Sequence, residues 1–317
     1  MFNSKVLDYP DVYLQPNYSE IKSRDSIDQS LSFLGDIFVN PVMPANMATT
    51  INFDLAEEMA EEGYFYALHR FYEYDEIFCW IKKIYESIPV VSISLGVKSK
   101  DVEFVDRLYD AGLHIDFITI DVSHGHHLLV KKMIKHIKTK LITKVIAGNV
   151  TTKAACLHLK SWGADAAKVG IARGSACTTY NTTGVGTAGH FSTLLECSKA
   201  GLPIIADGGI KEIGDISKAL VAGASMVMCG SLFAACKDSP AENFYEEGGT
   251  KIYYGSASAK NKGTDKYIEG RDCVYLQPNN LTYLELMEKI NQGLRSTMSF
   301  GGYKDIKDLR KMKYLYR

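Results

Sequence analysis

The chain has 317 residues, 46% of them hydrophobic and 23% charged, with a formal net charge of −1 at pH 7. That balance gives no field to steer nucleic acid or anionic lipid, and no apolar run is long enough to cross a bilayer, so neither kind of partner is expected. The opening stretch MFNSKVLDYPDVYLQP has no apolar signal core, and seven cysteines without a CxxC pair fit a reducing cytoplasm rather than a disulfide framework.

Short apolar runs rich in Val and Ile alternate with longer amphipathic stretches. In chain order, a strand at Ile37–Pro44 precedes a helix at Asp54–Glu62, and strands at Tyr64–Leu68 and Val90–Leu95 precede a helix at Lys100–Ala111. The strand Phe117–Val122 leads to the helix His127–Lys138, Val145–Ala147 to Lys153–Trp162, and Ala166–Ile171 to Ser192–Ala200. Pro203–Ala206, the helix Ile213–Ala222 and Met226–Cys229 close the series. Near-continuous apolar strands belong in a parallel sheet covered on both faces. Eight such runs in series predict an α/β fold of the (β/α)₈ TIM-barrel type, and no GxGxxG follows the first strand to suggest an open dinucleotide-binding sheet. No linker divides residues 1–317, which read as one catalytic domain. The polar segment at about 237–272, with Gly248-Gly249 and Lys262-Gly263, falls where a barrel keeps a mobile active-site flap. The basic tail after Gly301-Gly302 reads as a solvated helical end.

Barrel enzymes carry reacting groups at the C-terminal ends of their strands. Those ends read Pro44-Ala-Asn46-Met47, His69-Arg70, Asp121-Val122-Ser123-His124-Gly125, Gly148-Asn149, Gly170 to Thr179, Asp207-Gly208-Gly209 and Gly230-Ser231. Cys177 differs from the other six cysteines because it sits in a polar loop of small residues beside Thr178 and Thr179. A thiolate there can attack an electrophilic carbon. The glycine-bearing exits at Asp207-Gly208-Gly209 and Gly230-Ser231 occupy the usual place of a phosphate held by backbone N–H groups. His124-Gly-His126-His127 invites a metal reading, but no further Cys/His pair stands at ligand spacing and the inferred chemistry needs no zinc.

These residues resemble the IMP dehydrogenase and GMP reductase family along nearly the whole chain. The likeness runs through Asp11-Val12, Pro16, Ser23-Arg24, Pro44 to Met47, Ile146 to Val150, Lys168 to Ile171 and Gly174-Ser175-x-Cys177-Thr178-Thr179. It continues through Ile205 to Ile210, Gly223-Ala224-Ser225-x-Val227-Met228, Tyr254-Gly255 and Glu269-Gly270. Gly63 to Phe71 and Gly255-Ser-Ala-Ser are most similar to the bacterial reductase branch. Family dehydrogenases carry a paired regulatory insert, which this chain lacks. They also carry an Arg-Tyr water activator in a long flap, whereas here Ser256–Ile268 is short and has no Arg-Tyr.

The resemblance implies reductive deamination of GMP to IMP and ammonia with NADPH, in purine salvage. Cys177 would be the nucleophile that forms a covalent thioimidate at C2, with Thr179 and Glu269 moving protons. Ser175, Asp207, Gly208, Gly209, Gly230, Ser231, Gly255 and Gly270 would bind the nucleotide. Asp121, Val122, Ser123, Ile171 and Ala172 would lie on the nicotinamide side, with Ser23, Arg24, Phe300 and Gly301 towards the adenosine end. A potassium ion (K+) would be held by backbone carbonyls at Gly174 and Cys177, and the chain would form a homo-oligomer, a tetramer in the family. Two other readings remain: an IMP dehydrogenase without regulatory domains, and a catalytically weakened purine-nucleotide-binding protein. Departures from the pattern are Ala172-Arg173 in place of Gly-Pro, Tyr180 after Cys-x-Thr, and Ala259 where reductases usually carry a glutamate. Ala172 would be strained if its backbone needs positive φ.

Overall fold

The computed structural model describes residues 6–85, 87–244 and 249–317. Seven parallel strands form one curled sheet in the order Val42–Pro44, Met226–Cys229, Ile204–Asp207, Ala166–Val169, Lys144–Val150, Phe117–Asp121 and Ser92–Leu95. Leu68 adds the eighth position by a single parallel bridge to Ile93, with Leu68 N donating to Ser92 O at 3.0 Å and Ser94 N to Leu68 O at 2.8 Å. The fold is a (β/α)₈ barrel, as the run of apolar segments predicts. Residues such as Ile93, Ile118, Ile146, Ala167, Ile204 and Val227 are fully buried, as strands covered on both faces require.

Two expected strands differ. Tyr64–Leu68 is buried throughout but contributes only the Leu68 bridge to the sheet. Ile37–Pro44 divides into two strands, Asp36–Phe38 and Val42–Pro44. Pro41 separates them because it has no N–H to donate to a ladder. The first piece pairs antiparallel with Leu31–Phe33 through a turn at Leu34 and Gly35, both at positive φ as a tight hairpin turn demands. This hairpin plugs the N-terminal end of the barrel. Phe33 and Phe38 meet Phe65 at ring-centroid distances of 5.6 and 5.1 Å, and Phe65 meets Phe117 edge-on at 5.0 Å.

The helices fall where the amphipathic period places them. Lys153–Trp162 starts at Thr152, whose Oγ1 accepts from Ala155 N at 3.1 Å, and stops at Gly163 in the left-handed region. Tyr74–Ile84 and the 19-residue Tyr283–Gly301 extend the outer layer. No helix among the described residues is long and apolar enough to cross a membrane.

The basic tail is not a solvated helical end. Its 3₁₀ turn Ile306–Lys311 buries Ile306 and Leu309, and Tyr314–Tyr316 pairs antiparallel with Val12–Leu14. The apolar residues between its lysines decide the matter, since each is worth more buried than the flanking charges cost at the surface. The flap segment contributes the strands Glu242–Phe244 and Thr250–Tyr253 and a short helix at Ala259–Lys262, and Val274–Leu276, just beyond it, completes a three-stranded antiparallel sheet. Positions 245–248 of it, including Gly248, lie outside the described residues. The buried Lys251 ammonium roots this sheet to the chain leaving the last barrel strand, donating to the carbonyls of Lys237, Ser239 and Ala241 at 3.2–3.4 Å.

Burial lowers the pKa of His69 to about 4 and, with the Arg173 charge adding to it, that of His190 to about 3. Both imidazoles are therefore neutral when folded and take up a proton when the unfolded chain passes below about pH 6.5. Stability is full above that pH and falls as pH drops, by up to about 1.4 kcal/mol per pH unit for each histidine. Urea titrations between pH 6 and 4.5 should show a slope shallower by about 1 kcal/mol per pH unit in His190→Phe; an unchanged slope would mean His190 is protonated in the fold.

Candidate active site

The barrel's C-terminal mouth opens into a cleft lined by residues from nearly every strand exit. Its floor is organised by Lys168, whose side chain is 3% exposed. The Nζ donates to Asp121 Oδ1 at 2.8 Å, Asp207 Oδ2 at 3.0 Å and Asn46 Oδ1 at 3.3 Å. Register explains the reach. Asp121 and Lys168 both pair with Gly148, and a Cβ on that glycine would fall 2.4 Å from Lys168 Cβ. The missing side chain leaves the lane through which the lysine crosses to Asp121. Burial opposes the Lys168 charge, but the two carboxylates outweigh it and hold the ammonium above its ordinary pKa. Burial likewise would raise Asp121, but Lys168 and then Arg70 hold that carboxyl below the usual range. Asn149 completes the net by donating to Asp207 Oδ2 at 2.7 Å and Gly170 O at 2.6 Å.

Above this floor the loop that leaves Ala166–Val169 carries the thiol. Gly170 permits the turn: a Cβ there would lie 2.1 Å from the Asp207 carbonyl oxygen, and its φ is +141°. Ile171 and Thr187 tie the loop's base, Ile171 N donating to Thr187 Oγ1 and Thr187 N to Ile171 O, each at 2.9 Å. Cys177 Sγ lies 3.3 Å from Thr179 Oγ1, which donates to Glu269 Oε2 at 2.8 Å. Glu269 comes from the flap, 90 positions beyond Thr179. The flap is laid onto the loop as a strand would be: Cys177 bridges Gly270, Thr178 N donates to Glu269 O, and Arg271 N to Ala176 O, both at 2.8 Å. Gly255 N in turn donates to Arg271 O at 3.0 Å.

Of the residues expected from sequence, Cys177, Thr179, Glu269, Gly255, Gly270, Asp207, Asp121, Val122, Ser123, Ile171, Ala172 and Gly174 all line this cleft. Ser175 is exposed beside it. Gly208, Gly209, Gly230 and Ser231 stand behind the lining. A Cβ on Gly208 would meet Arg173 and Gly174, and one on Gly230 would meet the Tyr253 hydroxyl at 2.4 Å. Ser23, Arg24, Phe300 and Gly301 do not reach the cleft. The Arg24 guanidinium sits 5.5 Å over the Phe300 ring and donates to Ser296 Oγ at 3.1 Å, and Phe300 borders a separate groove beside Val12–Leu14. His127 Nδ1 accepts from Leu129 N at the start of a helix, and His126 pairs with His158. Sequence reading placed Lys168, Asn46 and Arg70 near strand ends without a role and missed Tyr253. The alternation of buried Lys251 and Tyr253 in their strand is the signal for the last.

Ala172 does adopt the conformation that disfavours it, with φ +58°. Ala172→Gly should raise stability by about 1 kcal/mol, read as an increase in Tm. Lys168→Met should lower stability by about 3–5 kcal/mol, because it leaves the Asp207 carboxylate without its cation and Asp121 with Arg70 alone. That loss should shrink on acidification, as one carboxylate takes up a proton; a loss independent of pH would point to packing instead.

Comparison with known proteins places the chain directly. A GMP reductase of Mesoplasma florum is 43% identical over 315 residues, spanning 98% of this chain and 97% of that protein. GMP reductases of Staphylococcus carnosus and Streptococcus pyogenes serotype M4 are 45% and 46% identical, over 98% and 99% of this chain and 96% of each relative. The sequence model of the IMP dehydrogenase / GMP reductase domain matches residues 6–317. A barrel with a thiol, a threonine and a carboxylate in line at its mouth thus belongs, over its whole matched length, to the IMP dehydrogenase / GMP reductase family of nicotinamide-dependent oxidoreductases.

Proposed function

We propose that the chain is a GMP reductase that converts GMP to IMP and ammonia at the expense of NADPH. The observation that carries this reading is the line Cys177 Sγ, Thr179 Oγ1 and Glu269 Oε2, with successive separations of 3.3 and 2.8 Å at the wall of the cleft. The Cys177 thiolate forms a bond to C2 of the guanine ring, and the 2-amino group leaves as ammonia. Thr179 and Glu269 form the relay that delivers the proton this leaving group needs. When bound, the nicotinamide supplies the hydride that C2 of the thioimidate accepts. The C–S bond then breaks, and the thiolate and IMP are released.

The wall formed by Val122, Ser123 and Ile171 fits a flat ring lying against the base, since it offers apolar surface beside a hydroxyl. The short segment Ser256–Ile268 has no Arg-Tyr pair to activate water, which favours reduction of the intermediate over its hydrolysis. Asp207 Oδ2 is bound by Lys168 and Asn149, which fixes the carboxylate for ribose hydroxyls. Gly208, Gly209, Gly230 and Ser231 would serve the phosphate. A monovalent cation would take the carbonyls of Gly174 and Cys177, the first of which already accepts Cys177 N–H at 3.0 Å. By resemblance the enzyme is a cytoplasmic homo-tetramer of purine salvage, one barrel domain per chain with the flap at 237–272.

Purified protein mixed with GMP and NADPH should lose nicotinamide absorbance and release ammonia. Cys177→Ala should abolish both while still binding GMP. Glu269→Gln and Thr179→Ala should each cut kcat by about 10²-fold or more with little change in GMP affinity. Reduction of NAD with IMP, and no reaction with GMP, would make the chain a dehydrogenase. Binding of GMP without turnover in either assay would leave only a nucleotide-binding protein.

A further inference from the structure

The phosphate end of the cleft holds a cation that neither fold nor chemistry has yet used. Arg173 lies in the cysteine loop, lines the cleft and packs on the glycine pair that leaves the strand Ile204–Asp207. A Cβ on Gly209 would stand 3.2 Å from its Nη2 and 3.3 Å from its Nε, so the guanidinium lies directly over that turn. Its Nη2 is bound by the Asp8 carboxylate, which also accepts from Tyr9 N and so is fixed in place. The Nε–H, on the Gly209 side, is buried and has no partner among the described residues. A buried donor left unpaired costs free energy unless something fills the place beside it.

The other cations of the cleft are committed. Lys168 is held by Asp121 and Asp207, Arg70 stands against Asp121, and Lys262 donates to the Tyr267 carbonyl. We propose that Arg173 is a side-chain ligand of the substrate's 5′-phosphate, held in position by Asp8, and that it makes the site select nucleotide over nucleoside. The inference rests on the GMP reductase reading for the identity of the substrate. The planar guanidinium offers its remaining donors to phosphate oxygens while the backbone at Gly208 and Gly209 approaches from below. The chain thereby gains a charged contact at a position where the family pattern carries a proline.

The test is discrimination rather than activity alone. GMP and guanosine binding would be measured by titration calorimetry for the unaltered protein, Arg173→Gln, Arg173→Lys and Asp8→Ala. In Arg173→Gln the affinity for GMP should fall about 10- to 100-fold while that for guanosine stays within about twofold. Arg173→Lys should lose less, because charge remains but the fork does not. Asp8→Ala cuts the same tie between the N-terminal segment and the loop but keeps the guanidinium, so it should cost much less than Arg173→Gln. Equal losses of GMP in Arg173→Gln and Asp8→Ala, or parallel losses of GMP and guanosine, would overturn the proposal and leave Arg173 a structural tie. If the unaltered protein neither binds nor reduces GMP, the reading of the function fails instead, an outcome distinct from normal turnover in which Arg173→Gln binds GMP as well as before.

Discussion

One buried ammonium holds the upper barrel together. Lys168 gathers carboxylates from two other strands, and a third strand contributes the glycine over which it passes. A lone charge at that depth would be prohibitive, and a lone carboxylate nearly so; the three exist because they exist together. The consequence reaches beyond stability. Asp207 sits at the exit that turns into Gly208-Gly209, and Asp121 at the exit that turns into Val122-Ser123. Fixing both carboxylates fixes where two walls of the cleft begin.

The proposed reacting groups are set on this frame by a different device. Cys177 and Thr179 come from one loop and Glu269 from the flap, and backbone hydrogen bonds between those two segments bring them into line. Main-chain pairing is directional, so it sets the register of Glu269 against Thr179 more tightly than side-chain packing would. Lys251 anchors the far end of the flap through three carbonyls, which leaves the flap tied at its root and at the edge that carries Glu269.

Much of this was legible in the sequence, for reasons that differ by residue. The barrel strands announce themselves as apolar runs because burial on both faces needs no alternation. Cys177 stood out because polar and small residues collect after those runs, whereas Thr179 and Glu269 received their roles only through the family resemblance. Tyr64–Leu68 overstated its pairing, since burial and hydrogen bonding are separate properties of an apolar segment. In Ile37–Pro44 the break was visible as Pro41, but its outcome, a hairpin closing the base, depends on aromatic partners far away in the chain. The part played by Lys168 was hidden because its reach is a matter of strand register. Of the residues expected towards the adenosine end, Ser23, Arg24, Phe300 and Gly301, Arg24 and Phe300 pack on each other, and none of the four lines the cleft. The tail misled because its lysines dominate composition while Ile306, Leu309 and Met312 decide its packing.

The pairing of Val12–Leu14 with Tyr314–Tyr316 has a mechanical meaning. Val12 faces Tyr316, so the C-terminal strand runs back along a short antiparallel ladder toward Leu7 and Asp8, which Ser192 and Arg173 hold to the barrel. Tension applied through the C-terminal strand therefore loads that ladder bond by bond, as a zip, before the barrel strands feel any load. A fusion that pulls on the C-terminal strand would strip this clasp first and then load the Ile306–Lys311 turn, which rests on the helix Ile213–Val221.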